Sequence, residues 1–356
     1  MNTKRNIEKL NVLLDMAGCP NRCRHCWLGS HKNGCMSIDD FQNTATQFKE
    51  WRDEDGVGIS KLGFFSWWRE PDFRDDYRDL WEIEKCLSTP GQAQRFELLS
   101  IWRLARDESY AKWAATLGPK ACQITFFGME ENTDWGTNRV GAFKDCLVAS
   151  ERLINAGIAP RWQLFITKRG LADLDPFLRL VYELDLHKRC EEIGQKFEVF
   201  IGGTSPEGNG YELEDERIEE NDLALIPQGL IDICREGTSL LGKPENTLLD
   251  SLLADGTAPN VEAPPAIMIN ADWDAYPNNA EPTEWWRLGN LKADGVDAII
   301  KAYRDETPPG MKMNRTMPIS ELARRYGDYG STKLYDRSDL VCRFMHQWGV
   351  DFMKER

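Results

Sequence analysis

Residues 11–27 read NVLLDMAGCPNRCRHCW. The run Asn11–Met16 is apolar enough for a buried strand. Gly18, Pro20 and Asn21 then break it into a loop. That loop carries Cys19, Cys23 and Cys26 in a C-x3-C-x2-C array. Three thiolates on one short loop can converge on a single metal centre. They leave one iron of a 4Fe–4S cube without a cysteine ligand, open to an exogenous one. A zinc site completed by His25 or His31 is the competing reading. Zinc sites usually show paired C-x2-C units, and no second pair exists in the chain.

The rest of the composition frames that loop. Lys and Arg total 44 against 58 Asp and Glu, a net charge of −14 over 356 residues. Such a surface repels phosphate backbones and argues against a general nucleic-acid binder. No stretch approaches the roughly 20 apolar residues of a membrane helix. Met1–Leu10 has no apolar signal core, so a soluble, cytoplasmic protein is expected. Ten cysteines are too sparse at this length for a disulfide scaffold. Cys86, Cys122, Cys146, Cys190 and Cys234 read as small buried hydrophobes. Cys35 and Cys342 lie in polar contexts and are open as ligands of a second metal.

Downstream, Ser37 followed by Asp40 fits a helix start. GISKLGFFSW reads as a strand and DFRDDYRDLWEIEKCL as a helix. FELLSIW is a strand, DESYAKWAATLG a helix, and CQITFFG a strand. AFKDCLVASERLINAG is an amphipathic helix. APRWQLFIT is a strand, DLDPFLRLVYELDLHKRC a helix, and FEVFIGG a sixth strand. Strand and helix alternate six times in the first 203 residues. That predicts an α/β fold of parallel strands with helical crossovers, barrel or open sheet, with the site at the strands' C-terminal ends. The cysteine loop follows the first strand, as this rule requires. GGTSPEGNG, residues 202–210, reads as a turn because its spacing does not match a P-loop. GYELEDERIEENDL reads as a solvated acidic boundary.

CPNRCRHCW after an N-terminal strand resembles the cluster loop of the radical S-adenosylmethionine (radical SAM) enzymes. The resemblance implies a partial (β/α)6 TIM-type barrel over residues 1–211. It also implies an oxygen-sensitive 4Fe–4S cluster on Cys19, Cys23 and Cys26. His25 stands where the family usually has an aromatic residue beside the adenine. The family's Gly-Gly-Glu-Pro motif matches Trp68, Arg69, Glu70 and Pro71, with both glycines replaced. Glu70 is then the acceptor for the SAM ammonium, since a carboxylate accepts strong bonds from a cation. Trp68 and Arg69 take the backbone contacts. Thr125 takes the place of a serine that meets ribose or carboxylate, and Arg139 that of an arginine for the SAM carboxylate. Arg161 and Gln163 share one face of their strand by alternation, with Gln163 as a pocket residue. Ile201 is an adenine contact.

Residues 212–356 break the alternation. LALIPQGLIDICREGTSL reads as helical. The text from Ala266 to Asp305 is similar to the C-terminal extension of peptide-modifying members, known as SPASM or twitch. Asp272 to Pro277 and Leu288–Leu291 match its hairpin and Leu-Gly-Asn-Leu, but Asn278 stands where a cysteine ligand is expected. Of the further cysteines, only Cys342 remains. A smaller α+β extension without its auxiliary clusters is therefore expected. Trp285 and Trp286 read as core packing, with a substrate platform as the other option.

The resemblance implies reductive cleavage of SAM and hydrogen abstraction from a peptide, protein or small-molecule substrate. It also implies a flavodoxin or ferredoxin as electron donor. With 18 residues before Cys19, any leader recognition is expected to come from elsewhere. The rival from another class is a non-catalytic zinc or iron–sulfur interaction protein on a degenerate barrel.

Overall fold

The computed structural model describes residues 7–29, 31–94, 97–260, 264–278 and 280–356. Among these residues ten strands are assigned: β1 (Lys9–Leu14), β2 (Lys61–Phe65), β3 (Ala121–Phe126), β4 (Ala159–Phe165), β5 (Glu198–Gly202), β6 (Lys243–Pro244), β7 (Ala266–Ile269), β8 (Asp274–Pro277), β9 (Gly289–Asn290) and β10 (Leu334–Tyr335). The fold is α/β. β1 and β2 run parallel, with Leu13 opposite Phe65. β3, β4 and β5 form a second parallel sheet, with Thr125 opposite Gln163 and Leu164 opposite Ile201. Among the described residues no ladder joins the two sheets, and no barrel is closed.

Five of the six strands expected before residue 203 form; the FELLSIW strand does not. Phe96 lies outside the described residues. Glu97–Ser100 contributes one backbone bond to β3, from Gln123 N–H to the Glu97 carbonyl at 2.8 Å. Ser100 then caps a helix, Ile101–Arg106, by accepting the Arg103 N–H. The local side-chain bond wins over the β-prone sequence. Elsewhere local signals act as expected. Ser37 and Asp40 form a reciprocal capping box on the helix Ile38–Glu50. The helix expected over 173–190 splits at Asp185, which has φ 49°. The one expected over 223–240 is cut at Pro227, leaving Gln228–Ile233.

The other edge of β1 is covered by β7, parallel and in register from Asn11↔Ala266 to Leu14↔Ile269. β7 turns back into β8, which pairs with β9. β1 is therefore a central strand, with Leu10, Val12 and Leu14 fully buried. Two apolar cores result. One joins β1, β2, β7 and β8 to the C-terminal helices; the other lies between β3–β5 and their crossover helices. Trp285 and Trp286 belong to the first core and are less than a tenth exposed. GYELEDERIEENDL is more than a solvated boundary: Arg217 within it is buried and bonds the carbonyls of Leu334 and Thr204.

Candidate functional site

The loop after β1 is held from several sides. Asn33 accepts the Cys19 N–H at 3.1 Å and donates to the Cys19 carbonyl at 3.0 Å. This reciprocal pair needs Gly18 at φ +82°, where a Cβ would lie 2.1 Å from Asn33 Oδ1. The N–H groups of Arg22 and Arg24 donate to the carbonyls of Thr137 and Gly136. Those carbonyls close the helix Glu130–Thr137 and have no partner inside it. Arg139 adds a bond from Nε to Asn21 Oδ1 and an ion pair to Asp145.

A cavity of about 310 Å³ opens beside the loop. Cys19, Cys23, His25, Cys26, Arg69, Glu70, Thr125 and Arg139 all line it. The loops after β1 and β2, the strand β3 and the loop after the helix Glu130–Thr137 therefore share one space. Its volume is within the range of small-molecule sites. Leu98, Leu99, Ile101 and Ala142 form an apolar wall.

Electrostatics in the cavity follow from desolvation. Burial pushes the Cys23 thiol up to about 12 and raises those of Cys19 and Cys26. The negative charge of Glu70 adds to the rise at Cys19 and Cys23. The free thiols therefore hold their protons, and binding a metal must release them. Burial lifts the Glu70 carboxyl to about 7, opposed by bonds from Ser100 and the Trp102 backbone and by the charge of Arg139. Ser100 Oγ is 2.6 Å from Glu70 Oε1. Burial lowers His25 to about 4, leaving a neutral ring. That ring sits 4.9 Å from Phe127 and 4.8 Å from Phe165, and its Nδ1 has no partner.

Arg69 has a further task. Its side chain is 4 % exposed and pairs with Asp15, at the end of the first strand segment, at 2.6 Å. It also donates to the carbonyls of His31 and Lys32. Arg69 thus ties the return of the cysteine loop to β1. Trp68 does not line the cavity. Its ring is buried, stacked on His31 at 6.1 Å and on Tyr276 of β8 at 6.2 Å. Gln163 and Ile201 line a separate cavity of about 240 Å³ with Phe200 and Asp339. Gln123 of the first cavity hydrogen-bonds Gln163 of the second, so the two spaces meet at this amide pair. Gln123 escaped sequence reasoning, although its spacing two before Thr125 puts both on one face.

The donor set suits a cluster that takes a fourth ligand from outside: three thiols open onto a cavity that also presents Glu70. Among the described residues no group of three or more Cys, His, Asp or Glu side chains, the three cysteines included, is placed to hold a metal ion. His31 stacks on Trp68, and His25 packs between two phenyl rings. In the extension, Asn278 Oδ1 accepts the Ala266 N–H at 3.1 Å and the Tyr303 hydroxyl at 2.5 Å. Cys35 is exposed; Cys342 is half-buried, its thiol raised by burial and by Glu207.

No family profile matches the sequence. No curated protein matches it either. Solved structures do. Native anSMEcpe with bound AdoMet aligns with TM-score 0.51 and 12% identity over 98% of both chains. The same protein with AdoMet and the Kp18Cys peptide aligns with TM-score 0.52 and 14% identity, over 97% of this chain and 98% of that one. Streptococcus suis SuiB bound to S-adenosylmethionine aligns with TM-score 0.45 and 13% identity, over 84% of this chain and 66% of that one. At 97–98% coverage the likeness to anSMEcpe spans nearly the whole chain, and the chain shares that protein's fold.

Proposed function

We propose that this protein is a radical SAM enzyme acting on a peptide. The observation that carries the reading is the single cavity onto which Cys19, Cys23, Cys26, Glu70, Thr125 and Arg139 all open. In this reading residues 1–211 form a partial barrel that carries the cofactors, and residues 212–356 support it and the substrate. The three thiolates would hold a 4Fe–4S cluster, and AdoMet would take the rest of the cavity. Bound together, the two cofactors would supply one-electron cleavage of the sulfonium and hydrogen abstraction from substrate.

The chain's own residues bind and orient. Glu70 accepts the ammonium of AdoMet, and its ionised form does so best. Arg139, braced by Asn21 and Asp145, offers positive charge to the carboxylate. The Thr125 hydroxyl meets the ribose, and the neutral His25 ring offers a flat face to the adenine. The wall of Leu98, Leu99 and Ile101 keeps water from the reacting atoms. The substrate is placed in the second cavity, beyond the Gln123–Gln163 pair. A peptide is favoured because anSMEcpe, whose fold this chain shares end to end, was solved with one. An external one-electron donor of the flavodoxin or ferredoxin class completes the system.

The test is anaerobic reconstitution with iron and sulfide, then dithionite and AdoMet, assayed for 5′-deoxyadenosine. The expected result is about four irons per chain with AdoMet cleavage, both lost in Cys23→Ala. Zinc without 5′-deoxyadenosine would instead make the chain a metal-binding interaction protein.

A further inference from the structure

The glycine-rich exit of β5 lies directly on the cysteine loop. Cys23 and Cys26 sit on consecutive turns, closed by Cys26 N–H to the Cys23 carbonyl at 3.2 Å and Gly29 N–H to the Cys26 carbonyl at 2.9 Å. Each carbonyl has a second lone pair. Asn209 meets both. Its backbone N–H donates to the Cys26 carbonyl at 3.0 Å, and its side-chain amide reaches the Cys23 carbonyl at 3.4 Å.

The approach depends on the preceding residue. Gly208 has φ +54°, and a Cβ there would lie 2.2 Å from the Trp27 carbonyl and 2.9 Å from that of Cys26. No other residue fits this contact without moving a backbone. The Gly208 N–H is in turn taken by Glu281 Oε2 at 2.9 Å. Glu281 is 2 % exposed and meets His346 Nδ1 at 2.7 Å. His346 stacks on Tyr211 with ring centroids 4.3 Å apart. Glu281 and His346 both belong to the C-terminal part of the chain, His346 on the long helix Arg337–Lys354.

We propose that Gly208 and Asn209 form a clasp that holds the turns of Cys23 and Cys26 in ligating geometry, with Glu281 and His346 bracing the clasp from the C-terminal region. Asn209 is a positioning residue: it meets the backbone of Cys23 and Cys26 and does not line the cavity. Its purpose rests on the iron–sulfur reading above. The clasp has a counterpart, because Cys19 is held by Asn33 and makes no bond to Asn209. The two halves of the loop are therefore under separate control, and this makes the proposal specific.

The experiment uses the full-length chain with Asn209→Ala and Gly208→Ala. Before reconstitution, N-ethylmaleimide labelling is read cysteine by cysteine by mass spectrometry. Labelling at Cys23 and Cys26 is expected to speed up about fivefold in Asn209→Ala, the factor one lost hydrogen bond carries, and further in Gly208→Ala. Cys19 and the buried Cys146 stay within about twofold of wild type. After reconstitution, iron loss to a chelator is expected to quicken by about 10- to 100-fold, as for other groups that orient metal ligands. Unchanged labelling at Cys23 and Cys26 in both variants overturns the clasp. So does equal acceleration at every cysteine, which marks general loosening. A wild-type chain that takes up no iron defeats the iron–sulfur reading instead, and the labelling pattern still decides whether the clasp exists.

Discussion

Ser100 joins the start of a helix to a cavity carboxylate: its hydroxyl donates to Glu70 Oε1 at 2.6 Å while its oxygen accepts the Arg103 N–H at 3.1 Å. Glu70 is thereby fixed in a site that disfavours its charge, with its carboxyl lifted from 4.5 to about 7. A carboxyl raised on folding binds more protons in the native state between these two values. Stability must therefore fall as pH rises from about 4.5 to about 7 and level off above. The Glu70→Gln chain keeps the acceptor for Ser100 and has no charge to bury. It is expected to melt higher than the parent at pH 8, by on the order of 3 kcal/mol, and to lose the advantage near pH 4. Thermal melts at the two pH values check this; equal shifts at both would remove Glu70 as the source.

The same group gives AdoMet binding an opposite slope. Only the ionised carboxyl attracts the ammonium, so affinity is expected to rise as pH passes upward through about 7. In Glu70→Gln the slope vanishes and binding weakens by roughly 10- to 100-fold, the range of a charge-assisted hydrogen bond. Calorimetric titration of the reconstituted protein between pH 6 and 8.5 measures both. Site and stability thus pull against each other at one atom.

Arg69 and Asp15 form a pair with side chains 4 % and 2 % exposed. Removing one partner leaves a buried charge, and Arg69→Met is expected to cost about 3–5 kcal/mol in denaturant unfolding. The double change Asp15→Asn/Arg69→Met should recover part of that loss, because neither charge then remains. By the same logic, putting glycines at Trp68 and Arg69 to restore the family motif should destabilise the chain. Trp68 fills core space against Tyr276, and Arg69 locks the loop return.

Asn278 caps the β7–β8 hairpin through Ala266 and Tyr303. Changing it to Ala should cost about 1–3 kcal/mol, the price of unpaired buried partners. Changing it to Cys should lower stability similarly without adding iron after reconstitution. An increase in iron per chain would mean that the hairpin still carries a second metal site.

Gln163 faces the second cavity, so Gln163→Ala is expected to change AdoMet affinity by less than about threefold, within one weak hydrogen bond, while altering the peptides processed. A large loss of AdoMet affinity would instead put Gln163 in the cofactor site.

The legible parts of this fold share a property: each is written within a few residues. The three thiols lie within eight positions, the Ser37–Asp40 box within four, and the β3 and β4 faces alternate locally. Glu70, Thr125 and Arg139 are marked by resemblance alone: Glu70 follows β2, Thr125 lies within β3, and Arg139 follows the helix Glu130–Thr137. The illegible parts depend on partners far along the chain. Nothing around Arg69 indicates that Asp15, 54 residues earlier, will neutralise it. An asparagine between two glycines at 208–210 reads as a turn, and its contact with Cys26 has no local trace. FELLSIW misleads for the converse reason: one serine with a free N–H three residues ahead starts a helix where apolar content suggests a strand.

The placement of β7 against β1 governs when the site can mature. Its partners, from Asn11↔Ala266 onward, are about 250 residues apart in the chain. Contacts of such separation form late, and during synthesis one edge of the cysteine-bearing strand stays unpaired until nearly three quarters of the chain has emerged. The thiols are made first and fixed among the last. Under the proposed reading, metal loading is then a step for the finished chain, and a ribosome-stalled fragment ending before residue 266 should hold its three cysteines without holding their geometry.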